Sequence, residues 1–271
     1  MKTRVVILAA GRGTRMNPVR NNPDQSRDAV PPLAERISNG VNAQVPKVLL
    51  PFQGKPMIMH LLDAVAYSGV DSRPVIVTGF QAPLVERTLG PAYDYVRQEE
   101  QLGTGHAVAC TESLLAGRAD TVIVLNGDHP FVKASTIAAL AQLHEREHCV
   151  LTMMTVVLED FAGWRASFED FGRVIRDQSK KITAVVEIKD ATPEQREIRE
   201  VNPNFFCLRA SWLWPSIKKL GNDNAKGEYY LTDLVRIAIA EGECIASMSV
   251  SPREAIGLNT PEHLKLAEGL Q

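Results

Sequence analysis

The stretch Val5-Val6-Ile7-Leu8-Ala9-Ala10-Gly11-Arg12-Gly13-Thr14-Arg15-Met16 decides the reading of this chain. Its unbroken apolar, β-branched start is the pattern of a strand buried on both faces. The run passes straight into small residues and two glycines. Gly11 and Gly13 lack a Cβ, so the backbone can turn there and approach a ligand closely. Backbone N–H groups freed at such a turn hold phosphate, and Arg15 adds positive charge. An ordinary glycine-rich strand-to-helix turn is the alternative. The spacing does not fit G-x-x-x-x-G-K-[ST], and Met16 stands where a dinucleotide fingerprint needs its third glycine.

Outward from this stretch, strands alternate with helices. Runs 75–78, 121–125 and 151–158 read as strands, and 57–67, 105–115 and 133–148 as helices. In the last of these, Ile137, Leu140 and Leu143 recur at helical spacing. The alternation predicts an α/β fold: a mostly parallel sheet with helices on both faces and ligands at the carboxyl ends of the strands. Pieces 173–175, 182–186 and 204–208 lie among charged and proline-bearing loops. They suggest a subdomain added to the sheet, with a boundary near 157–172. Residues 17–45 form a proline-rich insertion carrying Pro18, Pro23, Pro31 and Pro32. It reads either as a lid with a short helix near 32–38 or as a surface insertion.

The 271 residues are 45% hydrophobic, enough for the core of one large α/β domain. A net charge of −2 gives no field to draw nucleic acid or an anionic membrane. No apolar run approaches the ~20 residues of a membrane helix. The run 5–10 is shorter than the ~7–15 residues of a signal-peptide core. The expectation is a cytoplasmic protein with no nucleic-acid or membrane partner. Cys110, Cys149, Cys207 and Cys244 are far apart with no C-x-x-C pair. They are expected as buried small side chains, not as disulfides or metal ligands.

The residues suited to chemistry follow the strands. Asn126-Gly127-Asp128 closes the run at 121–125, where a carboxylate can hold a divalent ion or simply form a turn. Asn259, just before Pro261, offers a neutral oxygen to the same ion or serves as a flanking residue of the last helix. Gln98-Glu99-Glu100-Gln101-Leu102-Gly103-Thr104-Gly105-His106-Ala107 is a second glycine turn, in which the Gln98 amide can read a base edge. His106 reads as a helix-start residue rather than a catalytic base. Lys47, after the rigid Pro46, is a fixed charge for phosphates or a solvated surface lysine.

These stretches, with Pro46-Lys47-Val48-Leu49, Glu187-Ile188-Lys189-Asp190-Ala191, Gly227-Glu228-Tyr229-Tyr230-Leu231-Thr232-Asp233 and Gly257-Leu258-Asn259, occur in order along nearly the whole chain. Together they resemble the uridylyltransferase (pyrophosphorylase) domain of the bacterial N-acetylglucosamine-1-phosphate uridylyltransferases. The resemblance implies a Rossmann-like fold of the nucleotide-diphospho-sugar transferase type, as a single domain over 1–271. Its nucleotide-binding half would span about 1–157 and a small sugar-binding half 158–271. It implies an enzyme joining UTP to a sugar 1-phosphate with Mg²⁺ on Asp128 and Asn259. Arg15, Lys47 and Asp128 would be catalytic. Leu8, Ala9, Ala10, Gly11, Gly13, Gln98, Gly103, Thr104 and Gly127 would hold the nucleotide. Gly172, Glu187, Asn202, Tyr230 and Thr232 would contact the sugar.

The chain departs from that pattern in the long insertion, in Asn126 for the usual tyrosine, in His129-Pro130, and in Asn202-Pro203-Asn204 for Asn-Thr-Gly. The loop before Gly172, with Trp164, Phe168 and Phe171, is lengthened as well. These changes gather on the sugar side and leave the sugar open. Another nucleotide (dTTP, CTP) and a non-catalytic nucleotide-sugar binder are the alternatives. The sequence ends where bifunctional members continue into an acetyltransferase β-helix. A stand-alone nucleotidyltransferase, monomeric or homodimeric, is therefore expected.

Overall fold

A computed structural model describes residues 2–13, 16 and 45–269. Thr14, Arg15 and the insertion over 17–44, with its expected lid and short helix, lie outside the described residues. β1 (Thr3–Leu8) precedes a short 3-10 turn (Lys47–Leu49), a small hairpin of β2 (Pro51–Phe52) and β3 (Lys55–Pro56), and α1 (Met57–Ser68). Then come β4 (Val75–Thr78), α2 (Ala82–Leu89), β5 (Asp94–Arg97), α3 (Thr104–Ala109), α4 (Glu112–Leu115), β6 (Thr121–Asn126), α5 (Ala134–Glu147) and β7 (Leu151–Val157). The second half holds β8 (Gly172–Arg176), β9 (Ile182–Val186), α6 (Pro193–Arg196), β10 (Glu200–Asn202) and β11 (Phe206–Arg209). It closes with α7 (Ala210–Ile217), α8 (Asp233–Ala240), β12 (Ile245–Ser249) and α9 (Pro261–Glu268).

The main sheet runs β5-β4-β1-β6-β11-β7-β10-β8-β9, with β12 added against β7. β5, β4, β1 and β6 pair in parallel, as does β12 with β7. β11, β10, β8 and β9 pair antiparallel, so the sheet is mixed, its antiparallel part coming from the second half. The parallel strands are covered on both faces, which explains their continuous apolar runs. Along β1, Val5 and Ile7 join one core while Val6 joins the other; along β6, Ile123 and Leu125 oppose Val122 and Val124. α1 and α5 cover the first face through Leu61, Val65, Ile137 and Leu140. α3, α7 and α8 cover the second through Val108, Leu213, Ile217, Leu234 and Val235.

The chain runs from β1 outward to β4 and β5, then returns to place β6 on the other side of β1. Such a reversal of strand order opens a crevice at the carboxyl ends. Leu8 and Asn126 are register partners there, and the Gly127 N–H donates to Leu8 O at 3.0 Å.

Three sequence expectations need correction. The helix expected over 105–115 is two, because the Thr111 hydroxyl and N–H both turn back to Val108 O, at 2.7 and 2.9 Å. That local bonding interrupts the helical ladder. The strand expected from Asn204 begins at Phe206, since Asn204 sits in the left-handed region at φ 63. Finally, Cys149 and Cys244 are joined as a disulfide, with Cα atoms 4.6 Å apart. The parallel register Ile245↔Leu151 brings their strand entrances together, a pairing that spacing along the chain does not show. Cys207 is buried and Cys110 half-buried, both as free thiols.

Candidate active site

The crevice at the strand ends opens into a cleft of two lobes, about 330 and 640 Å³. Gly11, Lys47, Glu187 and Asn259 belong to the walls of both. The smaller lobe is also lined by Leu8, Ala9, Thr104, Asp128, Gly172, Asn202 and Tyr230, and the larger by Gly13. Ala10, Gln98, Gly103, Gly127 and Thr232 are not on these walls. Arg15 lies outside the described residues.

Lys47 is held by the 3-10 turn that opens after Pro46. Gly13 makes room for it: at φ 63, a Cβ there would lie 2.7 Å from Lys47 Cβ. The lysine is no surface residue, its side chain being 15% exposed. Its Nζ donates to Asp128 Oδ2 and, at 2.9 Å, to Asn259 Oδ1. Asp128 stands just past β6. Its backbone O accepts from Leu258 N–H at 2.9 Å, which brings Asn259 alongside. Thr260, not Asn259, caps α9 by accepting from His263 N–H at 3.2 Å.

Burial alone would raise the Asp128 carboxyl. The Lys47 ammonium and His129 outweigh it and hold the group well below the usual carboxylate range. His129 Nδ1 donates to Asp128 Oδ1 at 2.8 Å. One carboxylate oxygen and one neutral amide oxygen thus converge on a single positive centre, the ammonium. That donor set suits a hard divalent cation such as Mg²⁺, which takes few protein oxygens and completes its shell with water and phosphate.

Across the cleft, Asn202 at the end of β10 is the register partner of Gly172 at the start of β8. Glu187 follows β9, and its Oε1 accepts from Thr232 Oγ1 at 3.1 Å. Burial pushes the Glu187 carboxyl up, and the Thr232 hydroxyl draws it partly back. Thr232 therefore acts on the cleft through Glu187. Gly103, at φ 107, packs so closely on the 227–232 segment that a Cβ would lie 2.6 Å from Tyr229 O. Gly105 N–H donates to Tyr229 O and Leu231 N–H to Thr104 Oγ1, at 2.8 and 3.0 Å. The second glycine turn and the segment bearing Tyr230 are hence one tied unit. Gln98 is buried behind this turn, its Nε2 donating to Gly103 O at 3.0 Å.

Sequence reasoning overlooks part of the wall. His129 lines the smaller lobe, with its ring edge-on to Phe205 at 4.8 Å and Phe171 at 6.1 Å. Phe171 is set by the lengthened loop, which Arg173 anchors by donating to Phe171 O at 2.5 Å and Arg196 O at 3.1 Å. Asn126 donates to Pro203 O at 3.2 Å and accepts from Asn204 Nδ2 at 3.4 Å, joining β6 to the β10–β11 turn. His129 Nε2, Asn202 Nδ2 and Asn204 Oδ1 are buried on this wall with no hydrogen-bond partner among the described residues. Most buried polar atoms in proteins are paired; these three lie together at the β6 and β10–β11 end of the cleft, while Thr121 Oγ1, Thr155 Oγ1, Trp214 Nε1 and the Tyr230 hydroxyl are also unpaired among the described residues. The signal in the sequence is the cluster of departures at 126, 129 and 203–204.

Comparison with known proteins places the chain in a family. The model of the MobA-like NTP transferase domain matches residues 5–226. The bifunctional protein GlmU of Exiguobacterium sp. (strain AT1b) is 36% identical over 271 residues, 100% of this chain and 53% of the relative. That of Halalkalibacterium halodurans is 38% identical over 264 residues, 97% of this chain and 51% of the relative. The chain thus spans about half the length of the curated relatives it matches. A protein described as a glucose-1-phosphate thymidylyltransferase from Bacillus anthracis superposes with a TM-score of 0.72 at 19% identity, over 99% of this chain and 94% of that one. A UDP-glucose pyrophosphorylase complexed with UDP-glucose gives 0.71 at 17% identity, over 99% and 98%. At those identities the two structures share the fold. With its family model matched across the glycine turns, the aspartate turn and the Glu187 strand, the chain belongs to the MobA-like NTP transferase family.

Proposed function

We propose that this protein is an Mg²⁺-dependent nucleotidyltransferase that joins UTP to a sugar 1-phosphate and releases pyrophosphate, with N-acetylglucosamine 1-phosphate the leading acceptor. The observation that carries the reading is the meeting of Lys47, Asp128 and Asn259 with Glu187, Asn202 and Tyr230 around one cleft. The relatives named bifunctional protein GlmU and the sugar-nucleotide enzymes sharing the fold support the class.

In this reaction an oxygen of the sugar phosphate attacks the α-phosphorus in line. A new P–O bond forms as the bond to the β-phosphate oxygen breaks, and the electron pair leaves with pyrophosphate. The step needs positioning and neutralised charge, not a covalent nucleophile. Lys47 supplies a desolvated ammonium at the point where the phosphates meet, and Arg15 adds to it. Leu8, Ala9 and Thr104 border the nucleotide, while Glu187, Asn202 and Tyr230 orient the sugar. Asp128 and Asn259 would hold Mg²⁺, which when bound supplies charge to the phosphate oxygens.

The test is pyrophosphate release from UTP, dTTP, CTP, ATP and GTP, each against a panel of sugar 1-phosphates, with and without Mg²⁺. Release with UTP, N-acetylglucosamine 1-phosphate and metal is the expected result. Release with another pair keeps the reaction and reassigns the substrate. Nucleotide binding with no release anywhere would make the protein a nucleotide-sugar binder.

A further inference from the structure

Lys226 lines both lobes of the cleft, as Lys47 does. The two lysines differ in what they meet. Lys47 is pinned to Asp128 and Asn259, so a carboxylate already matches its charge. Lys226 Nζ has no hydrogen bond or ion pair among the described residues and rests over the Tyr230 ring, 5.7 Å from the centroid. Lys189 borders the larger lobe alone.

The Lys226 side chain is exposed, but its backbone is fixed. Asn224 Oδ1 accepts from the N–H groups of Lys226 and Glu228, at 3.1 and 3.2 Å, and Asn224 Nδ2 donates to Glu228 O at 2.6 Å. An asparagine bonded in this way closes a turn on itself. Ala225 N–H donates to Asp190 Oδ1, and Asp190 N–H to Glu187 O, both at 2.9 Å. The turn bearing Lys226 is thus tied to the turn bearing Glu187. Burial pushes the Glu187 carboxyl up, and the Lys226 ammonium is among the groups that draw it back.

The wall around this ammonium is acidic, for Asp170, Glu187 and Glu228 line both lobes. A phosphate monoester is largely a dianion at neutral pH. A sugar 1-phosphate oriented by Glu187 and Tyr230 would carry that dianion between these carboxylates and a Lys47 already paired with Asp128. Like charges so close repel unless a further cation stands with them.

We propose that Lys226 holds the phosphate of the acceptor, pairing its ammonium with the oxygens that do not attack. The proposal rests on the reading of this protein as a sugar-1-phosphate nucleotidyltransferase and adds the group that seats the nucleophile. Lys47, packed on Gly13, serves the phosphates of the nucleotide. Lys226, tied to the Glu187 turn, serves the phosphate of the sugar.

The test is steady-state kinetics of the full chain in both directions, for the wild type, Lys226→Gln and Lys226→Arg. The acceptor is the sugar 1-phosphate that the wild type turns over. Lys226→Gln should raise its KM about tenfold, the low end for a hydrogen bond to a charged group, and leave the KM for the nucleoside triphosphate unchanged. In reverse, the same phosphate is the β-phosphate of the nucleotide sugar. The KM for the nucleotide sugar should therefore rise by a like factor, and that for pyrophosphate should not. Lys226→Arg keeps the charge and should restore most of the loss.

An unchanged acceptor KM in Lys226→Gln overturns the proposal alone, as does a rise that arginine does not reduce. A rise confined to the triphosphate and pyrophosphate would assign Lys226 to the nucleotide instead. An equal rise in all four constants would mark distortion of the turn, and either result overturns the proposal. A wild type that turns over no pair removes the nucleotidyltransferase reading and the proposal with it. Should Lys226→Gln fail to fold, amine acylation of the wild type decides. The nucleotide sugar should slow the labelling of Lys226 and UMP should not. Equal labelling with the two overturns the proposal.

Discussion

Lys47 Nζ donates to Asn259 Oδ1 at 2.9 Å, although the two residues stand 212 positions apart. The same ammonium pairs with Asp128 Oδ2, so one cation spans the two oxygens expected to take a metal. Lys47→Met keeps the chain length and removes the charge. In the pyrophosphate assay we expect kcat/KM to fall about 10²–10³-fold, the usual loss on removing one charge-stabilising group. The melting temperature should also drop, because Asp128 stays charged with one cation fewer. Unchanged kinetics would remove Lys47 from the phosphate site.

Asp128→Ala separates metal holding from folding. Turnover should vanish at any Mg²⁺ concentration, with a modest loss of stability measured by thermal melting. A variant that keeps near-wild-type activity in saturating Mg²⁺ would show that the carboxylate does not hold the metal.

Asn202 leaves Nδ2 without a partner among the described residues, on the cleft wall. Asn202→Ala should raise the KM for the sugar 1-phosphate about tenfold, roughly one hydrogen bond. The KM for the nucleotide should stay within about twofold. Equal rises in both constants would point to general distortion of the cleft.

His144 offers a pH test away from the cleft. Burial, with the Arg209 guanidinium nearby, lowers its imidazole to about 4. Its Nδ1 lies 2.9 Å from Thr152 Oγ1. The unfolded chain takes up this proton near ~6.5, well before the folded one does. Stability is then full above about pH 6.5 and is lost as the pH falls through the folded value. Between pH 7 and pH 5 the wild type should lose more melting temperature than His144→Gln. Parallel curves would exonerate this histidine.

Of the four cysteines, Cys149 and Cys244 are paired while Cys110 and Cys207 are free. Thiol titration of the unfolded, unreduced protein should find two reactive groups, and four after reduction. Four without reductant would show that the pair does not form in solution.

What is legible in the sequence follows from burial. β1 and β6 are covered on both faces, so each reads as a continuous apolar run, and the glycine and aspartate turns follow at their ends. β5, with Asp94 and Arg97, and β12, with its alternating serines, are half-exposed strands paired on one side. Their sequences carry too little hydrophobic contrast to stand out. Lys47, Asp128 and Asn259 are each readable as chemistry, but their meeting depends on the Leu258–Asp128 backbone bond, a long-range event. His129 and Asn204 show in the sequence only as departures from the family pattern, and their meeting on one wall comes from tertiary packing.

Asn259 enters the cleft from just before α9, long after β1, Lys47 and Asp128 have been made. A domain folds as a unit, and here one sheet draws strands from both halves of the chain. A chain that ends short of Asn259 lacks one of the two oxygens that converge on that ammonium. Loss of the tail by proteolysis would have the same effect. Under the proposed function, clipped copies would be silent rather than faulty, because the segment bearing Asn259 would be a condition of turnover.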